Sequence, residues 1–192
     1  PHNSASMNPE MDSPDLHEAF RRWKWRVLLA FCAFYATSYL GRFNFSLIQT
    51  AVIEDLGITR ADTGWINSWM FWGFALGGVL HGRVAERIGY RVVLLYGAIG
   101  IGVFNFIASY AESAQGLLVP WALAGFFGAA TWAPGLGLIA QWWSRRERGR
   151  AVGLASASAG FAMVAVWLVA PWVAAEYGWR AAMRWPPMLV SL

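Results

Sequence analysis

After residue 25 the chain alternates long apolar runs with short breaks that carry charge, glycine or both. The first five runs are each long enough to cross a hydrocarbon core of ~30 Å at the ~1.5 Å rise of an α-helix. The pattern predicts helices over about 26–53, 63–82, 92–111, 117–140 and 151–175, and a sixth starting near 181 that is incomplete at Leu192. Between them lie polar segments at Glu54–Asp62, Gly82–Arg91, Glu112–Gly116, Gln141–Arg150 and Glu176–Arg180. Residues 1–24 are expected to form a cytoplasmic tail, disordered or weakly helical over 1–20, and residues 25–192 a single transmembrane unit. The expected fold is therefore all-α and polytopic. A chain that starts at Pro1 and stops inside an apolar run reads as a piece of a longer protein.

One residue breaks the apolar pattern. Arg42 is the only charged residue between Arg26 and Glu54. It lies roughly 24 Å along a helix from Arg26 and roughly 15 Å from Val52, so its side chain does not easily reach water at either surface. Placing an arginine at such depth costs about 2.5–3.5 kcal/mol on insertion scales. Such a residue faces a protein interior or a water-filled cavity and usually has a task there, although pairing with a helix carbonyl or a carboxylate is the bland alternative. A guanidinium offers a planar fork of donors that matches phosphate or carboxylate oxygens. Tyr35, Ser38, Tyr39, Phe45, Ser46 and Gln49 lie three, four or seven residues away, so several share its helix face.

Composition supports the membrane reading: 57% of residues are hydrophobic, with 13 Trp and 20 Gly. The net charge of +4 raises nucleic acid as a partner, but the placement of the charges argues for a membrane instead. Arg21, Arg22, Lys24 and Arg26 precede the first span; Arg83, Arg87 and Arg91 follow the second; Arg145, Arg146, Arg148 and Arg150 follow the fourth. All of these fall on one side, which predicts a cytoplasmic N-terminus in the inner (plasma) membrane. Small residues at Gly73/Gly77, Gly97/Gly100/Gly102, Gly125/Gly128 and Ala155–Gly160 predict close helix packing. Cys32 has no partner cysteine, and His2, His17 and His81 share no metal-ligand spacing. No enzyme, metal site or cofactor is expected, and His81 reads as an interfacial residue at the end of the second helix.

The segment Gly82-x-x-x-Glu86-Arg87-x-Gly89-x-Arg91 resembles the cytoplasmic signature of the major facilitator superfamily. Gly82 there would allow close packing at the end of the second helix, and the segment is expected to act as a conformational-switch loop. Within that superfamily, Tyr35-x-x-x-Tyr39-x-x-Arg42-x-Asn44-Phe45 resembles helix one of the organophosphate:phosphate antiporters, the group of the glycerol-3-phosphate and hexose-phosphate transporters. Trp132-x-Pro134 and Trp142-Trp143-Ser144-x-x-Glu147-Arg148-Gly149 are similar to the same group. The resemblance implies the six-helix N-terminal half of a twelve-helix alternating-access transporter, built from two inverted three-helix repeats. It implies phosphate binding by Arg42 together with an arginine from the missing C-terminal half, with Tyr35 facing the same cavity. The candidate substrate-binding set is thus Arg42, Tyr35, Tyr39, Asn44 and Ser46. The expected partners are a small anionic substrate, membrane lipid and that second half.

Two departures keep the substrate open. Where the glycerol-3-phosphate transporter carries a lysine in helix two and a histidine in helix five, the positions here are Gly78 and Ala159. None of the 11 Asp and Glu residues falls inside an expected span, and the neighbour of Arg42 is Gly41. That favours anion exchange over proton symport, which usually needs an embedded carboxylate. An organic-carboxylate transporter and a transporter-like sugar-phosphate sensor remain the alternatives.

Overall fold

The computed structural model describes residues 14–191, with side chains placed for 15–185. The expected disorder of the tail falls on residues 1–13, outside the described residues. Six helices follow in order: α1 (Pro14–Leu56), α2 (Arg60–Ile88), α3 (Tyr90–Ala108), α4 (Ala114–Trp142), α5 (Arg148–Tyr177) and α6 (Trp179–Ser191). Of these, α3, α4 and α5 are long and apolar enough to cross a membrane by length and composition.

The first helix is longer than its apolar run. It spans 43 residues, roughly 65 Å at the α-helical rise, and so overshoots a bilayer core at its N-terminal end. The extension is helical from Pro14, a correction to the weakly helical tail expected there. Its cause is docking at regular spacing. Phe20 stacks on Trp142 at 5.6 Å, Trp25 meets Trp143 edge-on at 5.0 Å, and the Lys24 ammonium reaches Glu147 at 2.6 Å. An exposed polar helix becomes stable when one face finds such a surface.

Local chemistry sets the other boundaries. Thr59 and Asp62 form a reciprocal capping box that starts α2, and the Ser113 hydroxyl accepts the Gly116 N–H at the start of α4. Between α2 and α3, and again between α5 and α6, a single glycine makes the break. Gly89 has φ +96° and Gly178 φ +83°, conformations that a Cβ disfavours. Each donates its N–H to the carbonyl four residues back, Ala85 and Ala174 respectively. The sequence repeats with the geometry, as Gly-Tyr-Arg and Gly-Trp-Arg.

Packing follows the same repeat. Helix α1 lies against α5 and α6, and α4 lies against α2 and α3, so exchanging the first three helices for the last three preserves the arrangement. The α2–α4 seam is drawn tight by glycine. A Cβ at Gly73 would collide with the Ala122 carbonyl, one at Gly77 with the Phe126 carbonyl, and one at Gly125 with the Met70 carbonyl. Gly97 and Gly100 do the same for α3 against Ala130 and Phe127 of α4. Gly128 and Gly160 face open space, so the packing expected of them is absent within this unit. Trp121 and Phe45, both fully buried, anchor one core cluster, and Leu28, Phe31 and Ile139 anchor a second.

Candidate functional site

The site is built on α1. At 100° per residue, Tyr35, Arg42 and Ser46 fall within about 40° of one line along the helix, and Tyr39 within about 60° of Arg42. The structure joins Tyr35, Tyr39 and Arg42 in one run of ring contacts through Phe43. The Arg42 guanidinium carbon lies 3.8 Å from the ring centroid of Phe74 on α2 and 5.1 Å from that of Phe43. The Tyr35 and Tyr39 hydroxyls are 3.3 Å apart, their rings edge to face at 5.3 Å. Tyr35 also rests on Trp132 of α4 at 4.8 Å, and Tyr39 on Phe43 at 5.1 Å. Helices α1, α2 and α4 thus supply a run of contacting rings that carries one guanidinium and two phenolic hydroxyls.

What Arg42 lacks is as informative as what it touches. Its Nε is buried without a hydrogen-bond partner, and no carboxylate or carbonyl binds it among the described residues. The bland pairing considered for Arg42 is therefore not seen. Ring faces attract a cation but leave its N–H donors unused. A buried donor without an acceptor is costly, so the geometry favours an oxygen-rich anion at this point.

Ser46 is exposed, one turn beyond Arg42 on the same face. Asn44 does not join the group. Two residues from Arg42 is 200° around the helix, and the structure puts Asn44 on the opposite side, fully buried. Its amide donates to Asn105 Oδ1 at 3.1 Å and to the Ala182 carbonyl at 3.3 Å, and its own oxygen accepts the Phe45 N–H at 2.9 Å. Its expected place in the substrate set is therefore corrected: every polar atom of its side chain is already engaged inside the bundle.

The expected switch loop is not a loop. Gly82, Glu86 and Arg87 lie in the last two turns of α2, Gly89 alone separates the helices, and Arg91 opens α3. Charged residues read as a break, but a helix that leaves the membrane carries charge without ending. Glu86, Arg87 and Arg91 are exposed. A Cβ at Gly82 would meet nothing within 4 Å, so its expected close packing does not occur within this unit. Instead, Tyr90 fills the notch left by Gly137 on α4. His81 is corrected as well. Because α2 runs to Ile88, this histidine is buried between α2, α3 and α4, 4.6 Å from the Phe126 ring and 5.5 Å from that of Tyr96.

At the helix ends, ion pairs tie the unit together. Asp55 accepts from Trp179 Nε1 at 3.0 Å and from the Arg180 guanidinium, which joins the end of α1 to the start of α6. These donors hold the Asp55 carboxyl below its usual range, and the Lys24 ammonium does the same for Glu147. Sequence reasoning missed Phe74, Asn105 and Lys24 because their roles exist only across helices.

Comparison with known proteins bears directly on this arrangement. The profile of the Major Facilitator Superfamily matches residues 27–184. The chain is 26% identical over 184 residues to the probable hexose phosphate transport protein of Chlamydia trachomatis, covering 94% of this chain and 40% of that protein. It is 26% identical over 172 residues to the membrane sensor protein UhpC of Salmonella typhimurium, covering 90% and 39%. It is 30% identical over 154 residues to the probable 4-methylmuconolactone transporter of Cupriavidus pinatubonensis, covering 77% and 35%. The chain spans about two-fifths of the length of the curated relatives it matches.

Proposed function

This chain belongs to the Major Facilitator Superfamily, and from that premise we propose that it forms the N-terminal half of a secondary transporter that exchanges a phosphorylated metabolite for inorganic phosphate. The observation that carries the reading is Arg42, a cation in the middle of the apolar run of α1 whose buried Nε–H has no acceptor among the described residues. A phosphate dianion supplies the missing oxygens, and a guanidinium binds it as a two-pronged fork. The rings of Phe74, Tyr39 and Trp132 exclude lipid and water, which strengthens that contact, while the Tyr35 and Tyr39 hydroxyls add donors. A hexose phosphate transport protein among the relatives fits the same chemistry.

In this reading the substrate sits between this unit and the remainder of the transporter, which contributes a second cation. The halves rock about the bound anion, and an empty site pays the desolvation of Arg42 without return, so closure follows binding. The conformational switch is the helical segment Gly82–Arg91, whose exposed Glu86, Arg87 and Arg91 remain available to the second half. The unit sits in the inner membrane with its N-terminus in the cytoplasm, as the one-sided Lys and Arg residues favour.

Two other readings have support. The relative named as a 4-methylmuconolactone transporter favours an organic anion other than phosphate, and the relative named as a membrane sensor favours binding without turnover. The complete coding frame in liposomes loaded with phosphate separates the three. Uptake of labelled phosphate that requires internal phosphate and ignores a proton gradient supports exchange. Uptake of carboxylates driven by a proton or sodium gradient supports the second reading, and saturable binding without uptake the third.

A further inference from the structure

Arg42 makes no polar contact that fixes its direction, yet its placement decides whether the site exists. The groups that hold α1 in register lie on its other side. There, two fully buried asparagines, Asn44 on α1 and Asn105 on α3, meet at 3.1 Å. Asn105 Nδ2 donates to the Gly41 carbonyl at 2.8 Å and to the Ile101 carbonyl at 2.9 Å. Asn44 Oδ1 accepts the Phe45 N–H at 2.9 Å. In an α-helix the Phe45 N–H and the Gly41 carbonyl are each other's partners, because they stand four residues apart. The asparagine pair therefore touches both ends of one of the backbone hydrogen bonds that span Arg42.

We infer that Asn44 and Asn105 form a positioning clamp for Arg42, acting through the backbone of residues 41–45 and never touching the substrate. Three features argue for this over simple helix packing. Asn105 of α3 holds the carbonyl immediately before Arg42 and the amide of Asn44, which itself holds the Phe45 N–H, so rotation of α1 against α3 breaks the Asn105 contacts. Every polar atom of both side chains is engaged, which in a dry interior makes the arrangement all-or-none. The Asn44 amide also reaches the Ala182 carbonyl at 3.3 Å, so α1, α3 and α6 converge behind the arginine.

This inference rests on the proposed cavity at Arg42, and its test does not depend on the substrate. In the complete protein, Cys32 and every cysteine outside this unit are replaced by serine, and Ser46→Cys then places a single reporter on the Arg42 face. Labelling by a water-soluble thiosulfonate is then followed with Asn44→Leu, Asn105→Leu and the pair, with Tm recorded alongside. The clamp predicts that each single substitution changes the labelling rate by at least about fivefold in the same direction. It predicts that the double changes it no further, because coupled residues are non-additive. A rate within twofold of the parent in both singles overturns the inference, even with a lowered Tm, as does a double whose effect is the product of the singles. Phosphate exchange by the complete protein with Ser46 intact tests the anion reading separately: a protein that does not exchange phosphate loses that reading and leaves the clamp to its own labelling result.

Discussion

The Arg42 guanidinium carbon lies 3.8 Å from the centre of the Phe74 ring, the shortest cation–ring distance in the described structure. That contact joins α1 to α2 at the one point where a charge stands deep in the apolar region. A ring face stabilises the cation while leaving its in-plane N–H donors free for a ligand. Phe74→Leu is therefore expected to weaken phosphate binding by about threefold to thirtyfold, the span from an exposed to a desolvated cation–ring pair. Phe74→Trp is expected to retain it. Equilibrium binding of labelled phosphate to the complete protein measures both, and equal losses in the two variants contradict the role.

Gly78 lies one turn beyond Phe74 on α2, and a Cβ there meets nothing within 4 Å. By helical spacing it stands on the same side of α2 as Phe74, with room for a long side chain. Gly78→Lys is expected to tighten phosphate binding about tenfold at neutral pH, and less at pH 5, where phosphate carries one charge. A second cation near a partly desolvated dianion readily supplies the ~1.4 kcal/mol that tenfold requires. Titration of labelled phosphate against both proteins at the two pH values decides it.

The α2–α4 seam makes an internal control. Gly73→Ala forces a methyl into the Ala122 carbonyl and is expected to destabilise the protein by about 1–3 kcal/mol, as overpacking does. Gly82→Ala, which meets open space, is expected to be neutral or slightly stabilising because alanine favours helix. Unfolding in mild detergent with increasing denaturant gives both values.

Gly89 is the whole connection between α2 and α3, at φ +96° and ψ +142°. Gly89→Ala is expected to cost about 1–3 kcal/mol from backbone strain alone, with Gly178→Ala behaving alike at its φ of +83° and ψ of +160°. Replacement by D-alanine through semisynthesis is expected to restore most of the loss, because its mirror-image Cβ fits a positive φ. Midpoints of thermal unfolding report the effect.

Acid should loosen the ends before the core. Asp55, held by Trp179 and Arg180, and Asp62, held by Thr59, lie below the ordinary 3.8, and Glu147, held by Lys24, lies below 4.5. Carboxyls with lowered values contribute stability above the ordinary range, and that contribution is lost as pH falls through it. Tm is expected to be flat from pH 7 to about 5 and to decline below that. Asp55→Asn together with Glu147→Gln is expected to lower the plateau and flatten the decline. A parallel decline in the variant contradicts the assignment.

The membrane helices and Arg42 were legible because both are one-dimensional signals: a run length, and a charge whose depth is costly wherever it points. The Tyr35–Tyr39–Arg42 face was legible for the same reason, since helical periodicity is local. Asn44 was misplaced although the periodicity argued against it; it stood inside a family motif, and motif adjacency is not facial adjacency. Gly82–Arg91 read as a loop because charge marks the membrane surface, not the helix end, and α2 continues past that surface to Gly89. Phe74 and Asn105 carried no local mark at all, and nothing local marked Lys24 and Glu147, 123 residues apart, as partners. Which ring covers a cation and which amide clamps a backbone are properties of packed helices, settled only when α2 and α3 close on α1.

The most direct test of the account is Arg42→Lys in the complete protein. Lysine keeps the charge and most of the length but replaces the planar fork with a point charge. With folding verified by an unchanged Tm, exchange of labelled external phosphate for internal phosphate is expected to fall at least a hundredfold, while the parent exchanges freely. Exchange by the lysine variant at a rate close to the parent's would contradict recognition of phosphate by the Arg42 guanidinium.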